Sequence, residues 1–98
     1  MEMTKAQNGT GLMIALEGRL DTTTSPELEK TLSESLKGVT ELVMDLEKLE
    51  YISSAGLRVL LSAQKTMMKQ GSMKVTHVAE TVMEILEVTG FVDILTIE

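Results

Sequence analysis

The stretch that decides the fold is residues 42–71, LVMDLEKLEYISSAGLRVLLSAQKTMMKQG. It begins with a nearly continuous apolar run that ends at Leu46, which is typical of a parallel strand covered on both faces. The polar residues that follow, Glu47, Lys48 and Glu50, predict a short, solvated loop. Over 54–70 the apolar spacing becomes helical, and the glycine at position 71 is a stop signal. The stretch therefore predicts a strand, a loop and a long helix.

The predicted helix has an apolar face and a polar face. We expect Leu57, Leu60 and Leu61 to point inward, with Met67 or Met68 continuing the apolar stripe. The opposite, solvated face carries four polar side chains: Arg58, Ser62, Lys65 and Lys69.

The residues before this stretch predict two strands and a helix. A weakly apolar strand near 3–7 and a stronger one over 12–18 are joined by Asn8-Gly9, which is a turn signal because both residues tolerate positive φ. The hydroxyl-rich run before Pro26 predicts a helix start. Leucines every fourth residue, at 28, 32 and 36, then form one stripe that stops at Gly38.

The residues after the stretch predict a strand over 73–78, a helix over 80–89 stopped by Gly90, and a last strand over 94–97. His77 falls inside the first of these and is interpreted as a strand-face residue, since no paired nucleophile is evident. Strands that alternate with helices imply right-handed crossovers. The prediction is therefore one α/β domain spanning 1–98, with a mostly parallel sheet of about five strands, an antiparallel first hairpin, and helices mainly on one face.

Composition excludes several classes of function. The chain has 98 residues, 9 basic and 15 acidic, and a formal charge of −6, which argues against binding a phosphate backbone. It has no Cys and one His, so Cys-ligated zinc, thiol chemistry and multi-His metal sites are excluded, and no cofactor is expected. Glu2 stands where a signal peptide would be positive, and no apolar run approaches a membrane span, so we expect a cytoplasmic protein.

The adjacent serines Ser53 and Ser54 are the candidate functional residues, because they stand where a helix begins after a buried strand. A hydroxyl there can cap the helix, or it can carry a phosphate that the free N–H groups stabilise. Capping is the simpler interpretation. Gly56 removes bulk beside the serines, which suits either close approach by a partner or close helix–sheet packing.

The motif over 45–57, DLEKLEYISSAGL, resembles the central motif of anti-sigma factor antagonists, which are single STAS domains. Residues 18–21, GRLD, resemble the signature of the second strand in that family. The resemblance extends over essentially the whole chain and implies a STAS-like fold. In the family, a serine just ahead of a small residue and Gly is phosphorylated by an anti-sigma factor with serine kinase activity.

Position by position, the resemblance implies that Ser54 is the phosphoacceptor. Ser53 replaces an Asp that is frequent in the family, which makes it the alternative acceptor. Asp21 matches a loop aspartate that lies near the phosphorylation site, although its residue type and position equally suit a turn before the first helix. The implied partner-binding set is Asp21, Thr22, Ser53, Ser54, Ala55, Gly56 and Arg58.

The resemblance further implies a protein-binding regulator, not an enzyme, that acts as a monomer or weak dimer. The resemblance implies that the unphosphorylated chain binds the anti-sigma factor and so frees a sigma factor for transcription, and that serine phosphorylation releases the chain. A separate serine phosphatase would reset this switch. Two alternatives remain open at this stage. One is a nucleotide- or small-anion-sensing module, because related domains occur in transport proteins and a helix terminus suits an anionic ligand. The other is a hydrolase using Ser54, for which no oriented base can be named.

Overall fold

The structure, a computed structural model, describes residues 1–98 and contains one four-stranded sheet with three helices. The strands are β1 (Glu2–Asn8), β2 (Gly11–Leu20), β3 (Glu41–Ile52) and β4 (Ser72–Thr76). The helices are α1 (Ser25–Ser35), α2 (Ser54–Gln70) and α3 (Glu80–Val88), followed by a 3₁₀ turn at Phe91–Asp93. The sheet order is β1-β2-β3-β4, with β1 antiparallel to β2 and the other two pairs parallel. This arrangement confirms the predicted α/β class and the antiparallel first hairpin.

The predicted loop after Leu46 is wrong, because β3 continues to Ile52. Two register shifts against β2 each place one extra residue in β3, first opposite 15–17 and again opposite 18–19. Buried side chains therefore alternate up to Leu46 and then recur every third residue, at Leu49 and Ile52. Because each bulge accommodates one extra residue, residues 47–50 remain in the strand and the side chain of Leu49 still points into the core.

Helix α2 packs the face that its apolar spacing predicts. Leu57, Leu60 and Met67 are buried, whereas the neighbouring Met68 is 73% exposed. Leu61 lies at the edge of the contact and is only half-buried, so its predicted inward position is correct only in part.

The core is a single cluster of 23 buried apolar residues on the helix-covered face of the sheet. On β2 the buried side chains alternate with half-buried ones such as Met13 and Ala15, and Val43 of β3 is also half-buried. Because these half-buried positions share the opposite face, the helices cover one face only. The predicted placement of the helices is confirmed.

The C-terminal region differs from the prediction in two ways. β4 ends at Thr76, and His77 lies in the following turn with φ +54°, not on a strand face. The predicted fifth strand is reduced to one parallel bridge between Val75 and Ile97. Ile94 and Leu95, which are predicted to begin that strand, instead donate their N–H groups to the carbonyl of Phe91 at 3.0 and 2.9 Å, at the end of the 3₁₀ turn. None of the helices is both long and apolar enough to cross a membrane.

Candidate functional site

The candidate site lies where β2 and β3 end side by side. Leu20 and Ile52 are paired in register, and the backbone N–H of Ser53 donates to the carbonyl of Leu20 at 2.9 Å. The chain leaves β2 through Asp21 and leaves β3 through the two serines. Both loops therefore start at the carboxyl edge of the sheet, which is where sites in open α/β sheets gather.

Ser53 is the N-cap of α2. Its backbone is extended (φ −94°, ψ 175°), and its Oγ accepts a hydrogen bond from the N–H of Gly56 at 3.4 Å. Its carbonyl also accepts from the N–H of Leu57 at 2.9 Å. The side chain is half-buried. The Ser53 hydroxyl is therefore engaged in capping α2.

Ser54 is the first residue of α2 and differs from Ser53 in exposure and in hydrogen bonding. Its side chain is exposed, and its hydroxyl makes no hydrogen bond within the protein. The backbone N–H groups of Ser54 and Ala55 also have no backbone partner, as is usual in the first turn of a helix. The result is a free hydroxyl beside unpaired donors and the positive end of the helix dipole.

Asp21 organises the turn between β2 and α1. Its Oδ1 accepts from the backbone N–H and the hydroxyl of Thr23, at 3.0 and 2.8 Å. It also accepts from the N–H of Thr24 at 3.1 Å. The hydrogen bonds from Thr23 and Thr24 lower the pKa of Asp21 from 3.8 to about 2. The carboxylate therefore stays charged at the edge of the site while it holds the turn.

A shallow groove of 320 Å³ runs between the first turns of α1 and α2. Three of the predicted partner-binding residues, Thr22, Ala55 and Arg58, line it together with Glu29 of α1. Thr22 and Arg58 are exposed. The structure therefore brings these residues into one surface next to Ser54.

Gly56 lies inside this surface, not on it. It is buried, and a Cβ added there would lie 2.8 Å from Cγ1 of Ile52 and 2.8 Å from Cγ of Leu20. Of the two interpretations offered by the sequence, the observed contacts correspond to close helix–sheet packing. The glycine lets the first turn of α2 sit directly on the ends of β2 and β3.

One contact beside the site is not indicated by the sequence. The guanidinium of Arg19 lies 4.3 Å from the ring centre of Tyr51, a cation–π contact between neighbouring strands. Both residues lie in the two quoted motifs, but their pairing depends on the second bulge of β3, which aligns Arg19 with Tyr51. A regular strand without bulges after Leu46 would not place Tyr51 opposite Arg19.

The structure places no general base on Ser54. His77 contacts Asp45, with Nδ1 3.4 Å from Oδ1, and the serine hydroxyl has no side-chain partner. No group of three or more His, Asp or Glu side chains is arranged to hold a metal ion.

Comparison with known proteins defines the family. The sequence profile of the STAS domain matches residues 2–98, so the chain belongs to the STAS domain family. It is 37% identical over 90 residues to BtrV of Bordetella bronchiseptica, provisionally named an anti-sigma factor antagonist, covering 89% of this chain and 78% of that protein. It is 28% identical over 92 residues to the anti-sigma-B factor antagonist of Bacillus subtilis, covering 93% and 84%.

Solved structures share the fold. A Mycobacterium paratuberculosis anti-sigma factor antagonist superposes with a TM-score of 0.88 at 20% identity, covering 98% of this chain and 83% of that one. The Bacillus cell fate determinant SpoIIAA in its phosphorylated form superposes with a TM-score of 0.77 at 16% identity, covering 99% and 91%. These superpositions confirm the predicted STAS-like fold.

Proposed function

We propose that this chain is an anti-sigma factor antagonist that binds an anti-sigma factor with serine kinase activity and is released when Ser54 is phosphorylated. The observation that carries the proposal is the exposed, unbonded hydroxyl of Ser54 at the start of α2, on a STAS domain. The names of two relatives support the antagonist role. The existence of SpoIIAA in a phosphorylated form supports the modification.

The two serines have different surroundings, which supports Ser54 as the acceptor over Ser53. A kinase must bring the γ-phosphate of ATP in line with the attacking hydroxyl, so that hydroxyl must be accessible. The Ser53 hydroxyl is half-buried and bonded to Gly56, and phosphorylating it would break the cap. The Ser54 hydroxyl can react without disturbing α2.

The release step needs no refolding of the chain. A phosphate adds about −1.5 to −2 charges near neutral pH. It would lie on the surface formed by Thr22, Ala55 and Arg58 and near the ionised Asp21, whose pKa is lowered to about 2. The added charge and bulk at this interface weaken the complex directly, while the helix N-terminus compensates part of the charge within the chain.

In this scheme the chain is a ligand and a substrate, and the chemistry is performed by its partners. The kinase activity belongs to the anti-sigma factor, and a serine phosphatase restores the unmodified hydroxyl. The regulated output is transcription by the sigma factor that the anti-sigma factor holds. Because the sigma factor acts in the cytoplasm, the proposal places this chain in the same compartment.

The test is phosphate transfer from ATP to the purified chain by anti-sigma serine kinases of the source organism, each expressed and purified singly. Ser54→Ala and Ser53→Ala form a matched pair, because each removes one hydroxyl from adjacent positions. We expect one phosphate on the wild-type chain and on Ser53→Ala, and none on Ser54→Ala, by intact mass and tandem mass spectrometry. A phosphate mapped to Ser53, or to any residue outside the pair, contradicts the assignment.

Binding to the same kinases provides the second measurement. Ser54→Asp is expected to weaken the complex because it places a carboxylate on the docking surface, whereas Ser54→Ala retains it. Equal affinity for the two variants in titration calorimetry argues against a switch at this position. Circular dichroism of both variants establishes that each is folded.

A further inference from the structure

Helix α2 has a charge pattern unlike that of the rest of the molecule. The chain carries −6 overall, but the charged residues of α2 are all cations: Arg58, Lys65 and Lys69. All three are exposed, and none takes part in an ion pair within 4 Å or in a hydrogen bond. The structure thus leaves a row of unpaired positive charges on the helix that begins with Ser54.

Arg58 is the cation that can reach a group on Ser54. The two residues are four positions apart, so they are neighbours on one face of the helix, about 5–6 Å apart at Cβ. Side chains on a helix lean toward its N-terminus, which brings the guanidinium back over the first turn. Lys65 and Lys69 lie on the same face, but 11 and 15 residues along the helix, about 16 and 22 Å away.

The other charged groups at this end of the molecule leave the guanidinium available. Asp21 directs its carboxylate to Thr23 and Thr24. Glu29 of α1 lines the same groove as Arg58 but forms no ion pair with it. Arg19 lies over the ring of Tyr51. A phosphate on Ser54 would therefore have Arg58 as the neighbouring free cation on its own helix, and neither Asp21 nor Glu29 is paired with that guanidinium.

We propose that Arg58 is the phosphate-pairing residue of this chain, whose guanidinium binds the phosphoryl oxygens of phosphorylated Ser54 in a bidentate, charge-assisted contact. The planar fork of arginine fits phosphate, and pairing with the phosphate group is stronger than with a neutral acceptor. In the unmodified chain Arg58 faces outward and is free for the partner. Phosphorylation then has two effects on the charge of the binding surface: it adds the negative phosphate, and it pairs the Arg58 cation so that the partner can no longer bind it. The effect on partner binding rests on the proposed function, whereas the contact between Arg58 and the phosphate does not depend on it.

The experiment uses the full chain with phosphoserine incorporated at position 54 during translation, so no kinase is needed. The second pKa of the phosphate, about 6 in an unpaired phosphoserine, is measured by ³¹P NMR. The variant is Arg58→Gln, and the matched control is Lys65→Gln, which removes one charge from the same face beyond contact range. Pairing predicts that Arg58→Gln raises the pKa by about 0.5, Arg58→Lys by less, and Lys65→Gln by less than about 0.1.

Equal shifts in Arg58→Gln and Lys65→Gln overturn the proposal, because they indicate only a general loss of positive charge. No shift in either variant also overturns it. Thermal unfolding of the three unphosphorylated variants establishes that each folds as the wild type does. If no kinase phosphorylates Ser54, the proposed function is contradicted, but the ³¹P titration still tests the contact with Arg58. If the titration shows no pairing with Arg58, phosphate transfer to Ser54 is not contradicted.

Discussion

The Oγ of Ser53 accepts a hydrogen bond from the backbone N–H of Gly56, at 3.4 Å, while the adjacent hydroxyl of Ser54 has no partner. Two identical side chains at consecutive positions therefore have separate tasks. The first closes the helix end, and the second is presented to solvent at the same end. The difference follows from backbone geometry, because Ser53 is extended and Ser54 is already helical.

Ser53→Ala is expected to lower the free energy of unfolding by about 1 kcal/mol, since it removes the N-cap hydroxyl. Ser54→Ala removes a hydroxyl that bonds to nothing and is expected to change stability by less than about 0.5 kcal/mol. Urea unfolding followed by circular dichroism measures both. Similar losses in the two variants would contradict the division of roles.

Gly56→Ala is expected to destabilise the chain by about 1–3 kcal/mol, although alanine is the better helix former. The added Cβ would stand 2.8 Å from atoms of Leu20 and Ile52, inside the contact between α2 and the sheet. Urea unfolding measures the loss.

The control for Gly56→Ala is the same substitution in a Leu20→Ala background. Removing the leucine side chain makes room for the methyl group, so the penalty is expected to shrink in the double variant. An unchanged penalty would show that the loss does not come from crowding against Leu20.

Asp21 gives the stability of the chain an acid dependence. Its folded-state pKa is about 2, below the usual 3.8, so the ionised carboxylate stabilises the fold above about pH 4. This contribution is lost as the pH falls from about 4 through 2. Asp21→Asn is therefore expected to be less stable than wild type at pH 7 and to converge with it near pH 2.

Thermal unfolding of the wild type and Asp21→Asn across this pH range measures the convergence. Asp93→Asn is the matched control, because Asp93 is exposed and makes no side-chain hydrogen bond. Its difference from wild type is expected to stay small at neutral pH. A constant gap between Asp21→Asn and wild type at every pH would contradict the role assigned to the carboxylate.

Gln70 ties the end of α2 to the segment between α1 and β3. Its Nε2 donates to the carbonyls of Leu36 and Val39, both at 2.6 Å. Gln70→Glu replaces the donor by a carboxylate facing two carbonyl oxygens and is expected to cost about 1–3 kcal/mol in urea unfolding. Thr66→Glu, one turn earlier on α2 and exposed, adds the same single negative charge without removing a hydrogen bond and is expected to cost less.

The elements of the fold could be predicted from local patterns. The leucine stripe of α1, the helical spacing of α2 and the Asn8-Gly9 turn each follow from the few residues that form them. Extending β3 through Glu47–Glu50 required the pairing with β2. A four-residue segment with three charged side chains predicts a loop from its own composition, and only the pairing with the neighbouring strand stabilises it as a bulged strand.

Much of the candidate site could also be found in the sequence, because both serines and Asp21 lie in short motifs of characteristic spacing. The burial of Gly56 and the pairing of Arg19 with Tyr51 could not, because both depend on how residues from different strands meet.

By itself, the sequence determined the α/β class, the order of its elements and the position of the two serines at a helix start. These properties are local, since they arise from the period of apolar residues and from the preferences of Ser, Pro and Gly for helix ends. Which serine is the cap and which is exposed was decided only by the tertiary structure. The register of β3 against β2 pairs Leu20 with Ile52, and the N–H of Ser53 then donates to the carbonyl of Leu20. This contact fixes where the chain leaves the sheet and begins α2, and it leaves the Ser54 side chain exposed.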